Sequence, residues 1–435
     1  MRLHKNQKLT ICQKEVTVRD LLGEGGQGEV YLADDGQTQY ALKVYKEAPH
    51  PDFIYNLKNN AERGRPSPCF LWPLGLIESD GICGYLMELR PKNYVSFISL
   101  LTGKSQFKDR TTLIDWCLEL CIAFKKLHEQ GFSYQDLNDG SFFLDPQSGA
   151  LLICDNDNVT ANKKNLGILG KMRFMAPEIV RGDTDKATGE RMLPDVHSDR
   201  FSLAVILFMA LCMGNPFEGE RLKNYPIVDE EAELDMYGLN PLFVYHKTDS
   251  SNRPIRGYHT SLLRCWPTLP LYVKEAFHRT FVSGLLDREN ERTTEIEWIK
   301  LLCRYRDELV TCACGNQYPY GLWEQSPKRE CHVCKKSIDA EYCVLKIGKS
   351  RILLEPGKRF FLPHFDKFSS EYNSVAGIVI RNKNNPSIWG IKLEDAGEIL
   401  IKDSNGNEKT IPAGGVIPII KNLEIKINNV IGEII

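Results

Sequence analysis

The chain has 435 residues, of which 42% are hydrophobic and 26% charged, the composition of an ordinary globular protein with room for roughly two or three domains. Its net charge of -2 excludes a dominant basic surface for nucleic acid or an acidic membrane. The first residues lack the apolar segment of a signal peptide, and the longest apolar run, 201–214, is too short to span a bilayer. We therefore expect a cytoplasmic protein with reduced thiols.

A glycine-rich stretch near the N-terminus lies between two strand-like segments. Val16–Val18 and Tyr40–Val44 have strand character, and Gly23, Gly25 and Gly28 fall between them. The residues directly after Gly28 alternate as in a strand, whereas a dinucleotide-binding turn is followed by a helix. A glycine turn between two strands favours a backbone cover over the phosphates of a nucleotide.

Two aspartates flank a predicted β-hairpin in the middle of the chain. Apolar residues 142–144 and 151–153 are separated by a turn rich in Pro, Ser and Gly. Asp136 lies in the loop that enters this hairpin, and Asp155 lies where it ends. Two carboxylates on adjacent loops can divide proton handling and metal binding between them.

Several further motifs follow in a fixed order. Residues 112–130 have helical spacing, Ala176-Pro177-Glu178 ends a later loop, and residues 198–205 open the long apolar helix. With the glycine turn, Tyr40-Ala41-Leu42-Lys43-Val44 and the two aspartates, residues 17–307 resemble a protein kinase. The resemblance implies an α+β bilobal fold, with an N-terminal lobe in 1–91 and a C-terminal lobe in 92–307. It also implies ATP, Mg²⁺ and a serine or threonine hydroxyl of a protein substrate.

The resemblance assigns roles to single residues. Asp136 and Lys43 are the expected catalytic residues, Asp155 the magnesium ligand, and Glu62 the ion-pair partner of Lys43, although a solvated surface acid is an equal alternative for Glu62. By the same resemblance, Asp199 binds the catalytic-loop backbone and Arg292 pairs with Glu178. The expected cofactor-binding residues are Gly23, Gly25, Gly28, Val30, Ala41, Lys43, Glu62, Met87, Glu88, Arg90, Phe143, Ser141 and Asp155.

The chain departs from the kinase pattern in its catalytic loop. Gln135 replaces the arginine that receives a phosphorylated loop, so we expect activity that does not need loop phosphorylation through that contact. Asn138 replaces a lysine near the transferred phosphoryl group, which should slow the chemistry. Ser141 replaces the magnesium-binding asparagine, and Asp157 or Asp139 is an additional candidate metal ligand, for Mg²⁺ or Mn²⁺.

These departures leave two other functions open. One is a pseudokinase scaffold that binds ATP without efficient transfer, and the other is an adaptor whose kinase part is vestigial. Residues 218–270 are longer than most kinases need, and Ser251-Asn252-Arg253-Pro254 with Trp266-Pro267 resembles bacterial kinases that accompany a von Willebrand-type protein and a metal-dependent phosphatase. A cognate protein of either kind is therefore an expected partner.

Residues 308–340 contain two close cysteine pairs. Cys312 and Cys314 precede Cys331 and Cys334 by sixteen intervening residues, which predicts a structural Zn²⁺ site in a small zinc ribbon. A disulfide or free thiols are the alternatives. His332 is expected to face outward, and the few apolar residues nearby, such as Trp323, imply that metal supplies much of the folding energy.

Residues 341–435 contain short β-rich runs separated by turn residues, which predict an all-β sandwich. The predicted strands are 343–347, 351–354, 376–380, 388–393, 398–401, 416–420 and 423–427. The end of the chain resembles a forkhead-associated domain, which would read phosphothreonine with Arg381, Ser369 and Asn382. A plain interaction module is the alternative.

Overall fold

The computed structural model describes residues 2–435 except 78–80, 165, 168–169, 186, 322–329, 332, 338–342, 349, 367–368, 395–397 and 428–429. The predictions for His332 and Trp323 lie outside the described residues. The chain forms two compact units. The first comprises Met1–Phe107, Leu120–Trp266 and Glu275–Ile296, and the second comprises Lys108–Glu119, Pro267–Lys274 and Glu297–Ile435.

An antiparallel sheet with the strand order β1-β2-β3-β4-β6-β5 opens the first unit. Its strands are β1 (Lys8–Ile11), β2 (Lys14–Glu24), β3 (Gly28–Asp34), β4 (Gln39–Tyr45), β5 (Gly75–Leu76) and β6 (Gly84–Glu88). Helix α1 (Pro51–Arg63) follows β4, starts with a proline after the capping His50, and ends at Gly64, whose φ of 81° a glycine adopts without strain. The sheet therefore carries the glycine turn, between β2 and β3, and Lys43, on its central strand β4.

The rest of the first unit is mainly helical. The helices that lie in it or cross into it are α2 (Phe97–Leu101), α3 (Arg110–Glu129), α4 (Pro177–Arg181), α5 (Val196–Cys212), α6 (Glu230–Glu233), α7 (Thr260–Cys265), α8 (Leu271–Phe281) and α9 (Glu295–Asp307). Its short strands are β7 (Val95–Ser96), β8 (Phe132–Ser133), β9 (Phe142–Leu144), β10 (Leu151–Ile153) and β11 (Thr160–Ala161). Strands β9 and β10 pair antiparallel, which confirms the predicted hairpin. Leu234–Leu239 forms a π-helix, and Asn156–Asn158, Glu220–Asn224, Trp266–Thr268 and Ser283–Leu285 form 3-10 turns.

Two buried polar contacts hold the helical part of the first unit together. Arg292 donates two hydrogen bonds of 2.7 Å to the Glu178 carboxylate, and the backbone N–H of Tyr134 donates to Asp199 at 2.7 Å. Both contacts confirm predictions from the sequence. A charge-assisted, two-pronged bond of the Arg292–Glu178 kind satisfies groups that would be costly to bury alone.

Strands dominate the second unit. A hairpin of β12 (Leu309–Thr311) and β13 (Gln317–Pro319) precedes two antiparallel sheets, ordered β15-β14-β23-β22-β19-β20 and β16-β17-β18-β21. Their elements are β14 (Cys343–Ile347), β15 (Ser350–Leu354), β16 (Arg359–Phe361), the short helix α10 (Leu362–Phe365), β17 (Val375–Arg381), β18 (Trp389–Leu393), β19 (Ile399–Lys402), β20 (Glu408–Ile411), β21 (Val416–Pro418), β22 (Glu424–Ile427) and β23 (Val430–Ile434). One buried apolar cluster draws members from both sheets, among them Leu345, Ile391 and Ile425.

Within the described part of the chain, no helix combines the length and the apolar character needed to cross a bilayer.

A buried histidine joins three elements of the first unit. His128 at the end of α3 lies 3.0 Å from Asp199 and 2.9 Å from Glu295, and Glu295 also binds Arg200 at 2.8 Å. Burial alone lowers the pKa of His128, but the hydrogen bonds and charges of the two acids outweigh burial and raise it to about 9. The protonated ring is therefore favoured in the folded state.

This shift predicts a loss of stability at alkaline pH. The contribution of His128 is fully present below pH about 6.5 and is lost as the pH rises through about 9, on the order of 3 kcal/mol at most. Urea denaturation at a series of pH values should show this decline in wild type and in the exposed control His50→Asn, but not in His128→Asn. A decline that persists in His128→Asn would assign it to another group.

Candidate active site

The centre of the candidate site is a buried ammonium group on β4. Lys43 Nζ lies 2.7 Å from Asp157 Oδ2 and 3.5 Å from Asp155 Oδ1. Tyr45, two residues further along the same face of the strand, donates a 2.6 Å hydrogen bond to the same Asp157 oxygen. Burial lowers the pKa of Lys43, but the two aspartates outweigh it and raise the pKa above the usual value. Lys43 therefore carries its charge at neutral pH.

Asp155 and Asp157 take different positions within one short turn. Asp155 follows β10 in the left-handed region, with φ of 56°, and starts the 3-10 turn that contains Asp157. Its side chain is 46% exposed, whereas that of Asp157 is fully buried. Burial of part of the site raises the pKa of Asp155, and Lys43 counteracts this. Asn156 fixes the turn by donating to the carbonyls of Leu71 and Ile153 at 2.8 and 2.9 Å.

The structure does not bring Glu62 to Lys43. Glu62 is exposed on α1, and the ion pairs that Lys43 forms among the described residues go to Asp155 and Asp157. The buried face of α1 carries Asn56 and Asn60 instead, and both donate 2.8 Å hydrogen bonds to the carbonyl of Val159. The helix is thus tied to the segment after Asp157, not to the lysine.

The apolar residues predicted for the base of the nucleotide come together. Ala41 and Met87 are buried members of one cluster, and Val30 and Phe143 pack against it. The guanidinium of Arg90 lies 4.3 Å from the centre of the Phe143 ring, a cation–π distance. These side chains come from β3, β4, β6 and β9 and from the segment after β6. Glu88, at the end of β6, is exposed and pairs with Arg65 at 2.9 Å.

The glycine turn closes between β2 and β3 by a 2.9 Å bond from Gly25 N–H to the Gly28 carbonyl. A methyl group on Gly28 would lie 2.4 Å from the Val44 carbonyl oxygen, so only glycine lets the two strands approach there. Gly23 and Gly25 are exposed and have open space around them. The exposed tip therefore has room to approach a ligand, and its C-terminal end is fixed.

The loop before β9 positions Asp136. Asn138 donates to its carboxylate at 3.0 Å, and a methyl group on Gly170 would lie 3.5 Å from the same oxygen. Burial raises the pKa of Asp136, while Asn138 and the charge of Lys171 oppose that rise. A carboxyl with a raised pKa is better suited to accept a proton than one at its ordinary value.

Gln135 binds the following segment without a phosphate. Its side-chain amide donates to the backbone carbonyl of Lys164. In the sequence between Asp155 and Glu178, Thr160 is the only residue with a hydroxyl group, and its side chain is fully buried. The expectation that activity does not depend on loop phosphorylation thus acquires a structural basis.

The oxygen donors near Asp155 fit a magnesium ion. Asp155 is partly exposed, Ser141 is fully buried, and Asp157 Oδ1 is buried without a hydrogen-bond partner among the described residues. Carboxylate and hydroxyl oxygens are the hard ligands that Mg²⁺ prefers. The other oxygen of Asp157 is already bound by Lys43 and Tyr45, so Asp157 has at most one oxygen left for a metal.

Comparison with known families supports this geometry. Residues 76–291 match the family described as the protein kinase domain. The chain contains a protein kinase domain. The family match begins after the glycine turn and Lys43, whose interpretation rests on the geometry above.

Similar proteins are serine/threonine kinases by their names. The serine/threonine-protein kinase OXI1 of Arabidopsis thaliana is 23% identical over 53% of this chain and 69% of its own length. Human Nek11 is 24% identical over 48% of this chain, and the ribosomal protein S6 kinase alpha-3 of Mus musculus is 25% identical over 50%. The aligned part is 33% and 29% of those two proteins, so this chain spans about a third of each.

Outside the kinase domain, the second unit contains a cysteine cluster. The sulfurs of Cys312, Cys314, Cys331 and Cys334 all lie within 4.8 Å of one another, with pairs at 3.6 and 3.7 Å. A tetrahedral site with Zn–S bonds of about 2.3 Å places its sulfurs about 3.8 Å apart. The four thiols therefore fit one zinc ion.

The three residues considered for phosphothreonine binding make local contacts. The Arg381 guanidinium lies 5.8 Å from the Trp389 ring centre, Ser369 accepts from Glu371 N–H, and the Asn382 side chain accepts from the backbone of the turn that follows it. Phosphopeptide binding by these residues stays a prediction.

Sequence reasoning missed the contacts that hold Lys43. Tyr45 follows Lys43 at the spacing of one strand face, which was a usable signal. Asn56 and Asn60 lie one helical turn apart, which puts both on one face of α1. Asp157 was noticed as an additional acid, but its role as the partner of Lys43 depends on the shape of the turn after β10.

The Lys43–Asp157 contact predicts a large coupling energy. Asp157→Asn should lower the free energy of unfolding by about 3 kcal/mol, since it leaves a buried ammonium without its nearest counter-charge. The surface change Glu62→Gln should alter it by less than about 0.5 kcal/mol. Double-mutant cycles with Lys43→Met, measured by urea denaturation, should give a coupling for Asp157 and none for Glu62. The reverse order would restore Glu62 as the partner.

The cysteine cluster predicts one zinc ion per chain. Metal analysis of the purified protein should find one equivalent, lost in Cys331→Ser and retained in the control Cys343→Ser, which lies outside the cluster. Removal of zinc by a chelator should unfold the segment around β12 and β13. A chain without zinc whose four cysteines titrate as two disulfides would contradict the assignment.

Proposed function

We propose that the chain is an ATP-dependent protein serine/threonine kinase that transfers the γ-phosphoryl group of ATP to a protein hydroxyl. One observation carries this proposal: charged Lys43, beside Asp155 and Asp157, lies next to the apolar cluster of β3, β4 and β6. An ammonium at the edge of an apolar pocket suits a ligand with a flat base and a row of phosphates. The match to the protein kinase domain supports the same class of ligand.

Each residue then has a defined task. Lys43 holds the α- and β-phosphates, and Asp136 orients the substrate hydroxyl and accepts its proton. Asp155, helped by Ser141, would hold Mg²⁺ or Mn²⁺, which when bound supplies the positive charge that the phosphates require. The glycines of the turn cover the phosphates with backbone N–H groups. Val30, Ala41, Met87 and Phe143 would contact the base.

The remaining residues adjust this arrangement. Asn138 donates to the Asp136 carboxylate and so keeps it aimed in the absence of a lysine at that position. Gln135 holds the segment around Lys164 without phosphorylation. Both contacts are neutral hydrogen bonds inside the protein and need no activating event.

We further propose that the second unit is a docking module. The cysteine cluster would bind a structural Zn²⁺ in a ribbon, and the two sheets around one apolar core would form a β-sandwich that resembles a forkhead-associated domain. Partners of the bacterial type, a von Willebrand-type protein and a metal-dependent phosphatase, are the proposed binding proteins, with the cytoplasm as the setting. The support is the combination of motifs in the sequence.

Transfer of label from γ-labelled ATP tests the enzymatic proposal. Wild type should label itself or a generic protein substrate with Mg²⁺ or Mn²⁺, and Asp136→Asn should lower the rate by about 10²–10³-fold, since a general base is lost. Lys43→Met should also abolish transfer. Glu62→Gln is the matched control and should keep the wild-type rate.

A thermal-shift measurement with ATP separates the alternatives. Asp136→Asn should keep the increase in melting temperature that ATP gives to wild type, because Asp136 acts on the hydroxyl and not on the nucleotide. An ATP shift without any transfer by wild type would make the chain a pseudokinase. Neither a shift nor transfer would move the function to the second unit.

A further inference from the structure

The catalytic loop lacks a positive charge next to Asp136. At the position of Asn138 the kinase pattern has a lysine, and the side chain of Asn138 is fully used: it donates to Asp136 at 3.0 Å and accepts from Gly140 N–H at 2.9 Å. It is neutral and cannot balance the charge that spreads over the oxygens of a phosphoryl group in transfer. Another cation near Asp136 would be needed for that task.

The segment before α4 brings a lysine to this place. Lys171 Nζ lies 3.1 Å from Asp139 Oδ1, three residues after Asp136 in the catalytic loop. The backbone beside it touches Asp136, since a methyl group on Gly170 would lie 3.5 Å from Asp136 Oδ1. In addition, the charge and the backbone N–H of Lys171 lower the pKa of Asp136 against the effect of burial. A cation from a different segment therefore lies within the catalytic loop.

The surroundings of Lys171 leave it able to reach a ligand. Its side chain is 57% exposed and lines a cavity of about 470 Å³ together with Asp139, Gly170 and Phe174. The neighbouring cation of this cavity, Arg173, is bound to the Glu218 carboxylate through two nitrogens, at 2.5 and 2.9 Å. Lys43 is buried against Asp157. Of these three cations, Lys171 has the weakest and most exposed partner.

We propose that Lys171 replaces the missing lysine of the catalytic loop and binds an oxygen of the γ-phosphoryl group during transfer. The assignment rests on the proposed function. In the step, the substrate oxygen forms a bond to the γ-phosphorus, the bond from that phosphorus to the bridging oxygen of ADP breaks, and the hydroxyl proton passes to Asp136. Lys171 stays an ammonium ion throughout and moves from Asp139 to the phosphoryl oxygen on its flexible four-carbon chain.

The position of Lys171 also implies a specific exchange. Asn138 and Lys171 approach Asp136 from two different segments, so a lysine restored at 138 should do the work of Lys171. A purely structural role for Lys171, through its ion pair with Asp139, would not be replaced in this way. The two roles therefore differ in a double variant.

Steady-state kinetics of phosphoryl transfer test the assignment. Lys171→Met should lower kcat by about 100-fold, the usual loss for one charge-stabilising donor, with KM for ATP and the ATP-induced rise in melting temperature close to wild type. Lys163→Met, an exposed lysine of the same segment, is the control and should keep the wild-type kcat. The double variant Asn138→Lys with Lys171→Met should regain at least tenfold of the lost rate.

Three results would overturn the assignment. They are a kcat of Lys171→Met within threefold of wild type, a loss in Lys171→Met that is accompanied by loss of the ATP-induced shift, and a double variant no faster than Lys171→Met. Absence of transfer by wild type is a separate outcome. It would overturn the proposed function itself, and this assignment with it.

Discussion

The buried pair of Lys43 and Asp157 is the contact on which the candidate site depends. An ammonium removed from water needs a counter-charge and hydrogen bonds, and Asp157 provides both at 2.7 Å while Tyr45 binds the same oxygen. Because Asp157 belongs to the turn that Asp155 begins, the pair also holds Asp155 beside β4, with its side chain half exposed. The ammonium group and the expected metal ligand are thus assembled without an acid from helix α1.

Neutral hydrogen bonds extend this arrangement along the segment that follows. Gln135 binds the carbonyl of Lys164, Asn156 binds the carbonyls on both sides of the turn, and two asparagines of α1 bind the carbonyl of Val159. Each bond satisfies a polar group that would otherwise be buried at a cost. None depends on a phosphate, and the buried hydroxyl of Thr160 offers no accessible site for one. The conformation of the segment is therefore specified by the chain itself.

The sequence predicted what depends on local pattern and missed what depends on distant pairing. The hairpin 142–153 and the Arg292–Glu178 pair follow from turn residues and motif order, and both were correct. The partner of Lys43 is 114 positions away, and no spacing rule relates the two residues. In the second unit, strand β20 was missed because its residues Glu408-Lys409-Thr410 are exposed and polar. Strand β23 was missed because Gly432 interrupts it; a methyl group there would lie 2.9 Å from Ile347, so the glycine serves packing and not a turn.

The central claim is that internal contacts, and not phosphorylation, assemble the site. The most direct test is the time course of phosphoryl transfer by protein that has been treated with a phosphatase, compared in wild type and in Thr160→Val. Valine matches threonine in shape and removes the single hydroxyl between Asp155 and Glu178. The account predicts linear progress from the first turnover and equal rates for both proteins. A lag that prior incubation with ATP abolishes, or a loss of transfer in Thr160→Val that preserves the fold, would contradict it.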